Sequence, residues 1–415
     1  MKGAGMSPSK QSSTRLMQSR QLAGMSAPGR FRGTGSLSTG RLFVMALKVG
    51  LVGFKGIVRS HVPAYQQSEL ADLVAVCDPV PGRAKAAGDE LGIKSYESLA
   101  DMLDAHPDLD IVDVCTGGYE NGSWHYEPAL EAIEAGKNVL VEKPLSSDVT
   151  EARHLVARAA EKKVALGCNL NHYFTPVGER ARKYVDDGDV GELVYCLCKM
   201  GFHGGHVDGY KGPGNPKVKG FPYFHVKAFL SHPFSVMRYL CGDITHVQAF
   251  LDTPGFRKAG GDVTLSTASI HVRFSGGGVG YLLSQRGDAP YGLGGWWSIE
   301  VAGTRGTFCI ENCIEKLSYW KAPRGGGPGQ AEVDADEVTA TGTVDFNQTF
   351  VHRINAFIED VANGVHPDHV RASGRDALAA LEYTFAVIES HETGGALVRP
   401  HPLPPLHGDP LAMPD

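Results

Sequence analysis

Two hydrophobic rhythms divide this chain. Between positions 47 and 168, short continuous apolar runs alternate with stretches in which apolar residues recur every three or four positions. The runs at 47–52, 73–77, 111–115, 139–141 and 164–168 have the length and composition of strands buried on both faces. The stretches between them predict helices: one through His61 and Tyr65, then 83–91, 98–105, 126–135 closed by Gly136 as a left-handed cap, and 151–162. Strand and helix in alternation build a parallel, doubly wound sheet. From Leu193 onward strands dominate, at 193–199, 244–251, 265–274, 279–286, 297–302 and 307–310, with Gly-rich turns such as Ser275-Gly276-Gly277-Gly278. That pattern predicts an open, mostly antiparallel sheet with one face on helices. Residues 346–364 read as an amphipathic helix. The fold class is α/β: an N-terminal Rossmann-type doubly wound parallel sheet over 45–168, then an α+β domain over 169–399.

The ends break the pattern. Positions 1–44 are rich in Ser, Gly, Arg and Met, and the first acidic residue of the chain is Glu69. This is the composition of a transit peptide, without the apolar core of a secretory signal, or else of an extension upstream of a start at Met45. On either reading 1–44 is expected to be disordered, and the Pro-rich 400–415 to be a loose tail.

Composition narrows the function classes. A net charge of -6 argues against nucleic acid as a partner. No apolar run approaches the ~20 residues of a membrane-spanning helix, so no membrane association is expected. The 8 cysteines follow no zinc spacing and mostly fall in strand-like runs. They read as reduced core residues of a cytoplasmic protein, and no metal is expected.

The candidate chemistry lies at the carboxyl ends of the first strands, where open α/β sheets bind ligands. The first strand runs into Gly53-Phe54-Lys55-Gly56-Ile57-Val58 and then a helix, the place where backbone N–H groups receive a pyrophosphate. Of the glycine fingerprint G-x-G-x-x-G only Gly53 is kept, with Lys55 and Val58 in the later positions and Gly56 close by. Gly53, Lys55, Gly56 and Ile57 are the phosphate-side candidates. Lys55 reads either as facing the phosphates or as a solvated loop lysine. Asp78 ends the second strand, where an acid hydrogen-bonds an adenosine ribose and repels a 2′-phosphate. It implies NAD, with NADP less favoured, and Arg83 nearby softens that preference; the plain alternative is an Asp-Pro turn. Glu142-Lys143-Pro144 closes the fourth strand. Burying a lysine there costs several kcal/mol unless something is gained, and contact with a nicotinamide ring and a substrate hydroxyl is one way to gain it. His232 precedes Pro233, which predicts a helix cap with the ring facing a cleft. The Gly-, Lys- and His-rich segment 203–225 reads as a cap over a polar substrate or as a solvated excursion.

These pieces resemble the glucose–fructose oxidoreductase / inositol dehydrogenase (Gfo/Idh/MocA) family. The resemblance rests on Val49-Gly50-Leu51-Val52-Gly53 with His61 downstream, on Val74-Ala75-Val76-Cys77-Asp78, on Val114-Cys115-Thr116, and above all on ALEAIEAGKNVLVEKP at 129–144. HPFSVMRYLCG at 232–242 is similar to the family's substrate-domain helix, and Phe357-Ile358 and Ile388-Glu389-Ser390 to its C-terminal helices. The resemblance spans about residues 46–399. It implies that Lys143 contacts substrate and nicotinamide, with Glu142 shaping the turn. It implies that His232 is the general base, and that Thr116, Gly117 and His125 belong to the cofactor-side loop after the third strand. The implied activity is NAD-dependent oxidation of a secondary alcohol on a sugar, inositol or related polyol, by a homo-oligomer.

Three departures accompany it: the incomplete glycines, Ala228 where the family carries an aspartate, and Ser235 where an acid is common. Alanine cannot bind a hydroxyl or orient an imidazole. Either another residue supplies that function, with Lys227 and His225 nearest in sequence, or His232 is not the base. Two further readings stay open: a non-catalytic NAD-binding sensor, and NAD-assisted glycoside cleavage.

Overall fold

The computed structural model describes residues 46–119, 122–201, 221–286, 288–289, 295–321, 337–340 and 345–406. The expected extension 1–44, most of the 203–225 segment and the end of the tail lie outside them.

The apolar runs of the first half form a six-stranded parallel sheet of β1 (Leu47–Val52), β2 (Ala71–Cys77), β3 (Lys94–Tyr96), β4 (Ile111–Val114), β7 (Asn138–Val141) and β8 (Leu166–Cys168), in the order β3-β2-β1-β4-β7-β8. A two-stranded ribbon of β5 (Gly118–Tyr119) and β6 (Gly122–Ser123) rises from the loop after β4. The strand order reverses between β1 and β4, so a crevice opens at their carboxyl ends. Between the strands run α1 (Val58–Gln67), α2 (Arg83–Leu91), α3 (Leu99–Ala105), α4 (Tyr126–Glu134) and α5 (Val149–Lys162). The helix expected from 98 starts one residue later because the Ser98 hydroxyl caps it, accepting from the Asp101 N–H. Asp148 does the same for α5.

One face of this sheet is covered from the far end of the chain. Ile354 and Phe357 of α10 (Asn347–Ala362) pack with Val49, Leu51, Ile111 and Leu140. Strands apolar on both faces need such cover. Gly167 on β8 has no room for a side chain, since a Cβ would stand 2.7 Å from Arg353 and 2.8 Å from Phe357.

The second sheet holds β9 (Leu193–Gly201), β10 (Ile244–Asp252), β11 (Thr267–Phe274), β12 (Val279–Gln285), β13 (Trp297–Gly303), β14 (Gly306–Glu311), β15 (Lys316–Lys321) and β16 (Glu337–Ala340). Its order is β10-β11-β12-β9-β13-β14-β15-β16, antiparallel except for the parallel pair β9–β12. The inner residues Cys198, Met200, Ile270, Leu282, Ile299 and Phe308 are buried in one apolar cluster with Phe234 and Met237 of α8 (Ser231–Cys241) and Leu381 of α11 (Gly374–Glu392). Helices α6 (Pro176–Asp186), α7 (Phe224–Phe229) and α9 (Gly255–Ala259) and two short 3₁₀ helices, Asn171–Tyr173 and Pro367–His369, complete the described elements. Among the described residues no helix is long and apolar enough to cross a membrane.

One expectation is corrected. His232 does not cap its helix but lies inside the first turn of α8. Leu230 joins α7 to α8 in helical conformation, so the chain is already helical when it reaches His232. Pro233 falls in the first turn, where its missing N–H removes no intrahelical bond.

Candidate functional site

A cavity of about 1330 Å³ opens at the carboxyl ends of the parallel strands. Gly53, Lys55, Gly56, Ile57, Asp78, Thr116, Gly117, His125, Glu142, Lys143 and His232 all line it. At the turn after β1, Gly53 takes φ +85°, and a Cβ there would stand 3.0 Å from the Thr116 side chain. A glycine is therefore required by both conformation and space. Gly56 takes φ +74° with open space where a Cβ would point. No side chain caps α1, and the Arg59 and Ser60 N–H groups bond the Gly56 and Ile57 carbonyls of the turn before it at 3.2 and 2.8 Å. An uncapped helix N-terminus behind a glycine turn fits the phosphates of a dinucleotide.

Asp78 is buried at the end of β2. One carboxylate oxygen accepts from the Phe54 N–H at 2.8 Å and the other from the Val80 N–H at 2.9 Å. Arg83 reaches the same carboxylate at 3.2 Å. These contacts fix the acid against the glycine turn.

The loop after β4 is tied to the Glu142-Lys143-Pro144 turn by His125, whose Nδ1 meets the Pro144 carbonyl at 2.7 Å and whose Nε2 meets the Thr116 carbonyl at 2.6 Å. Burial holds its pKa below the ordinary value despite both carbonyls. The Lys143–Pro144 peptide is cis.

Beneath this turn lies a charged network that sequence reasoning missed. His61 on α1 is wholly buried, with Nδ1 2.8 Å from Asp113 and Nε2 2.8 Å from Glu142. Tyr65 donates to Asp113 at 2.7 Å, and the Asn169 amide donates to Glu142. Burial alone would lower the His61 pKa, but the Asp113 charge and the Cys115 sulfur outweigh it and raise it well above the ordinary value. Burial likewise works against Glu142, yet His61 and Lys143 hold it down to about 2. The result is an imidazolium clamped between two carboxylates under the lysine. His61, Asp113 and Cys115 lie close enough together to ligate a metal, but their polar atoms already bond one another and Glu142.

Lys143 is partly buried, its Nζ 3.5 Å from the Ala228 carbonyl. Burial lowers its pKa, and the neighbouring Glu142 opposes that. His232 also lines the cavity, and burial pushes its pKa well below the ordinary value, with His172 and Lys143 adding to the effect. Neither candidate for the role left open at Ala228 lines the cavity. Lys227 sits over the Phe385 ring at 5.1 Å, and His225 pairs with the Ser284 hydroxyl at 3.0 Å.

Asn171, His172, Trp296 and Phe346 line the same cavity and were also missed. The first two follow β8, whose end faces the crevice like those of β1, β2, β4 and β7. The rule that singled out Asp78 and Lys143 applies equally to the segment after Cys168.

Comparison with known proteins fits this geometry. The profile "Oxidoreductase family, NAD-binding Rossmann fold" matches residues 47–170, and "GFO/IDH/MocA C-terminal domain" matches residues 179–309. The chain is 26% identical over 355 residues to an inositol 2-dehydrogenase of Rhizobium meliloti (strain 1021), covering 83% of this chain and 97% of that protein. It is 26% identical over 328 residues to a scyllo-inositol 2-dehydrogenase (NAD(+)) of Bacillus subtilis (strain 168), covering 78% and 87%. A solved levoglucosan dehydrogenase in complex with NADH and levoglucosan shares the fold, with a TM-score of 0.72 at 21% identity over 86% of this chain and 99% of that one.

Proposed function

Since the chain belongs to the Gfo/Idh/MocA oxidoreductase family, we propose that it is an NAD-dependent dehydrogenase of a secondary alcohol on a sugar, inositol or related polyol. The observation that carries this reading is the placement of Lys143 at the carboxyl edge of the parallel sheet, over a buried charged network and in one cavity with His232. When bound, NAD supplies the carbon that accepts hydride. The N-terminus of α1, with Gly53, Lys55, Gly56 and Ile57, holds its phosphates, and Asp78 accepts from its ribose, which favours NAD over NADP. Thr116, Gly117 and His125 shape the wall beside the reacting ring.

Lys143 donates to the substrate oxygen and stabilises the negative charge that grows there as the hydroxyl proton departs. His232, neutral because it is buried, takes that proton. Glu142 keeps the ammonium charged against its own burial. Replacing Lys143 with Ala is expected to lower kcat/KM by ~10²–10⁴-fold while the NADH dissociation constant stays within about threefold. Wild-type turnover by Lys143→Ala on an accepted polyol would refute the assignment.

The outer face of the second sheet supports self-association. Val279, Leu197 and Phe250 stand 48–56% exposed on it, apolar side chains that a second copy of the chain would cover. We assign the protein to a homo-oligomer, which sedimentation at micromolar concentration tests. Its 8 free cysteines fit the reducing cytoplasm, which cell fractionation tests.

A further inference from the structure

Two imidazoles lie face to face in the wall of the cavity. The rings of His172 and His232 are 7° from parallel, with centroids 3.7 Å apart. The edges of Trp296 and Phe346, at 81° and 82° to its plane, hold His172 in place, and Phe229 stands edge-on to His232. In both rings Nδ1 is enclosed and makes no hydrogen bond. Both rings nonetheless line the cavity, which leaves Nε2 of each as the nitrogen turned to a ligand.

Burial keeps the pair neutral, with the nearby Lys143 ammonium acting in the same sense and Glu142 against it; His172 falls to about 3. Two charged rings could not stack at this distance, whereas neutral ones can. A neutral imidazole offers one donor and one acceptor nitrogen. The stack therefore sets two rings, each with a polar nitrogen to offer, in adjacent planes of the cavity wall with centroids 3.7 Å apart. Around them the wall is apolar, formed by Phe229, Trp296 and Phe346. The backbone carbonyl of Ala228 is already near Lys143, and its side chain offers a ligand nothing.

We propose that His172 is a substrate-binding residue and that the pair reads a vicinal diol: the hydroxyl at His232 is the one oxidised, and its neighbour is held by His172. This takes over the role for which Ala228 has no side chain, and it rests on the dehydrogenase reading above. It defines the substrate class as polyols and sugars with a free hydroxyl beside the reacting one.

The test compares wild type, His172→Phe and His172→Gln on an accepted polyol and on its analogues deoxygenated at each carbon next to the reacting one. Phenylalanine keeps the stack and removes the nitrogen; glutamine restores a hydrogen-bonding group. Wild type is expected to prefer the diol over one of the two analogues by at least about 100-fold in kcat/KM. His172→Phe should lose about that factor on the diol, change the same analogue's kcat/KM by less than about threefold, and so abolish the preference. His172→Gln should regain part of it. NADH titration of each variant checks that the fold and cofactor site survive. Should His172→Phe fail to fold, the wild-type preference and the partial preference of His172→Gln decide the matter. Equal losses on diol and analogue, or a wild type indifferent to both analogues, overturn the inference while leaving the dehydrogenase reading intact. A wild type that oxidises no polyol or sugar removes both.

Discussion

Removing the imidazole of His61 tests whether the buried network holds the lysine turn. In His61→Leu the carboxylates of Asp113 and Glu142 lose their shared cation, leaving Tyr65 and the Cys115 thiol on Asp113, and Asn169 and the Lys143 N–H on Glu142. The magnitude follows from Glu142. Its pKa falls from an ordinary 4.5 to about 2 in the folded protein, chiefly against burial and through His61. At about 1.4 kcal/mol per pH unit this amounts to about 3 kcal/mol of stability at neutral pH. Breaking a buried pair by deleting one partner costs about 3–5 kcal/mol, the same range. The sign in pH is fixed by the same shift. A depressed carboxyl pKa contributes stability that is present above 4.5 and lost as pH falls towards 2. In the variant the unpaired carboxylates instead bind protons more readily than in the unfolded chain, so acid relieves the damage. Urea titrations followed by far-UV circular dichroism should show His61→Leu less stable than wild type by about 3–5 kcal/mol at pH ~7, with a gap that narrows by pH ~4. A loss under about 1 kcal/mol at neutral pH, or a gap that stays constant down to pH ~4, would refute the reasoning.

Two more outcomes follow from the same geometry. Asp78→Ala removes the acceptor of the ribose and unpairs the Phe54 and Val80 N–H groups, so NADH should bind about 10–100-fold more weakly, with a smaller loss for NADPH; fluorescence titration reads both, and equal losses would count against the ribose contact. Burial holds His172 and His225 at about 3, so their contribution to stability is present above 6.5 and is lost as pH falls below it, by about 2 kcal/mol each at pH ~5. His61, with its pKa raised, has the opposite sign and is already at full effect below 6.5, and Glu142 begins to lose its contribution only below 4.5. Wild-type stability should therefore fall between pH ~6.5 and ~5, and a stability that rises there would contradict the neutral burial of these rings.

What the chain disclosed from its letters follows a physical rule. Parallel strands buried on both faces must be nearly all apolar, so β1, β2, β4 and β7 stand out as runs, and the residues that end them fall at the crevice. Asp78 and Lys143 were legible for that reason. Short strands at or near a sheet edge carry no such signature: Lys94-Ser95-Tyr96 is largely polar with no apolar run, yet it pairs with β2. The network under Lys143 was hidden because its members lie 52 and 81 positions apart, on α1, on β4 and in the turn after β7, and no local spacing joins them. His172 was hidden differently. Its partner His232 lies far along the chain on α8, and the significance of either ring depends on their stacking. The helix cap expected at His232 failed because the rule for a residue before proline is local, while α7 leads the chain into α8 already helical.

The central claim is that the crevice at the carboxyl edge of the parallel sheet transfers hydride between a polyol or sugar and NAD. Incubating the full chain with a panel of inositols, sugars and anhydrosugars, and following the absorbance of reduced nicotinamide with NAD and separately with NADP, tests it directly. The account predicts formation of NADH on at least one member of the panel, slower formation of NADPH, and a rate reduced by ~10²–10⁴-fold with Lys143→Ala. Tight NADH binding with no reduced cofactor formed on any member, and no carbonyl product reduced in reverse, would contradict it.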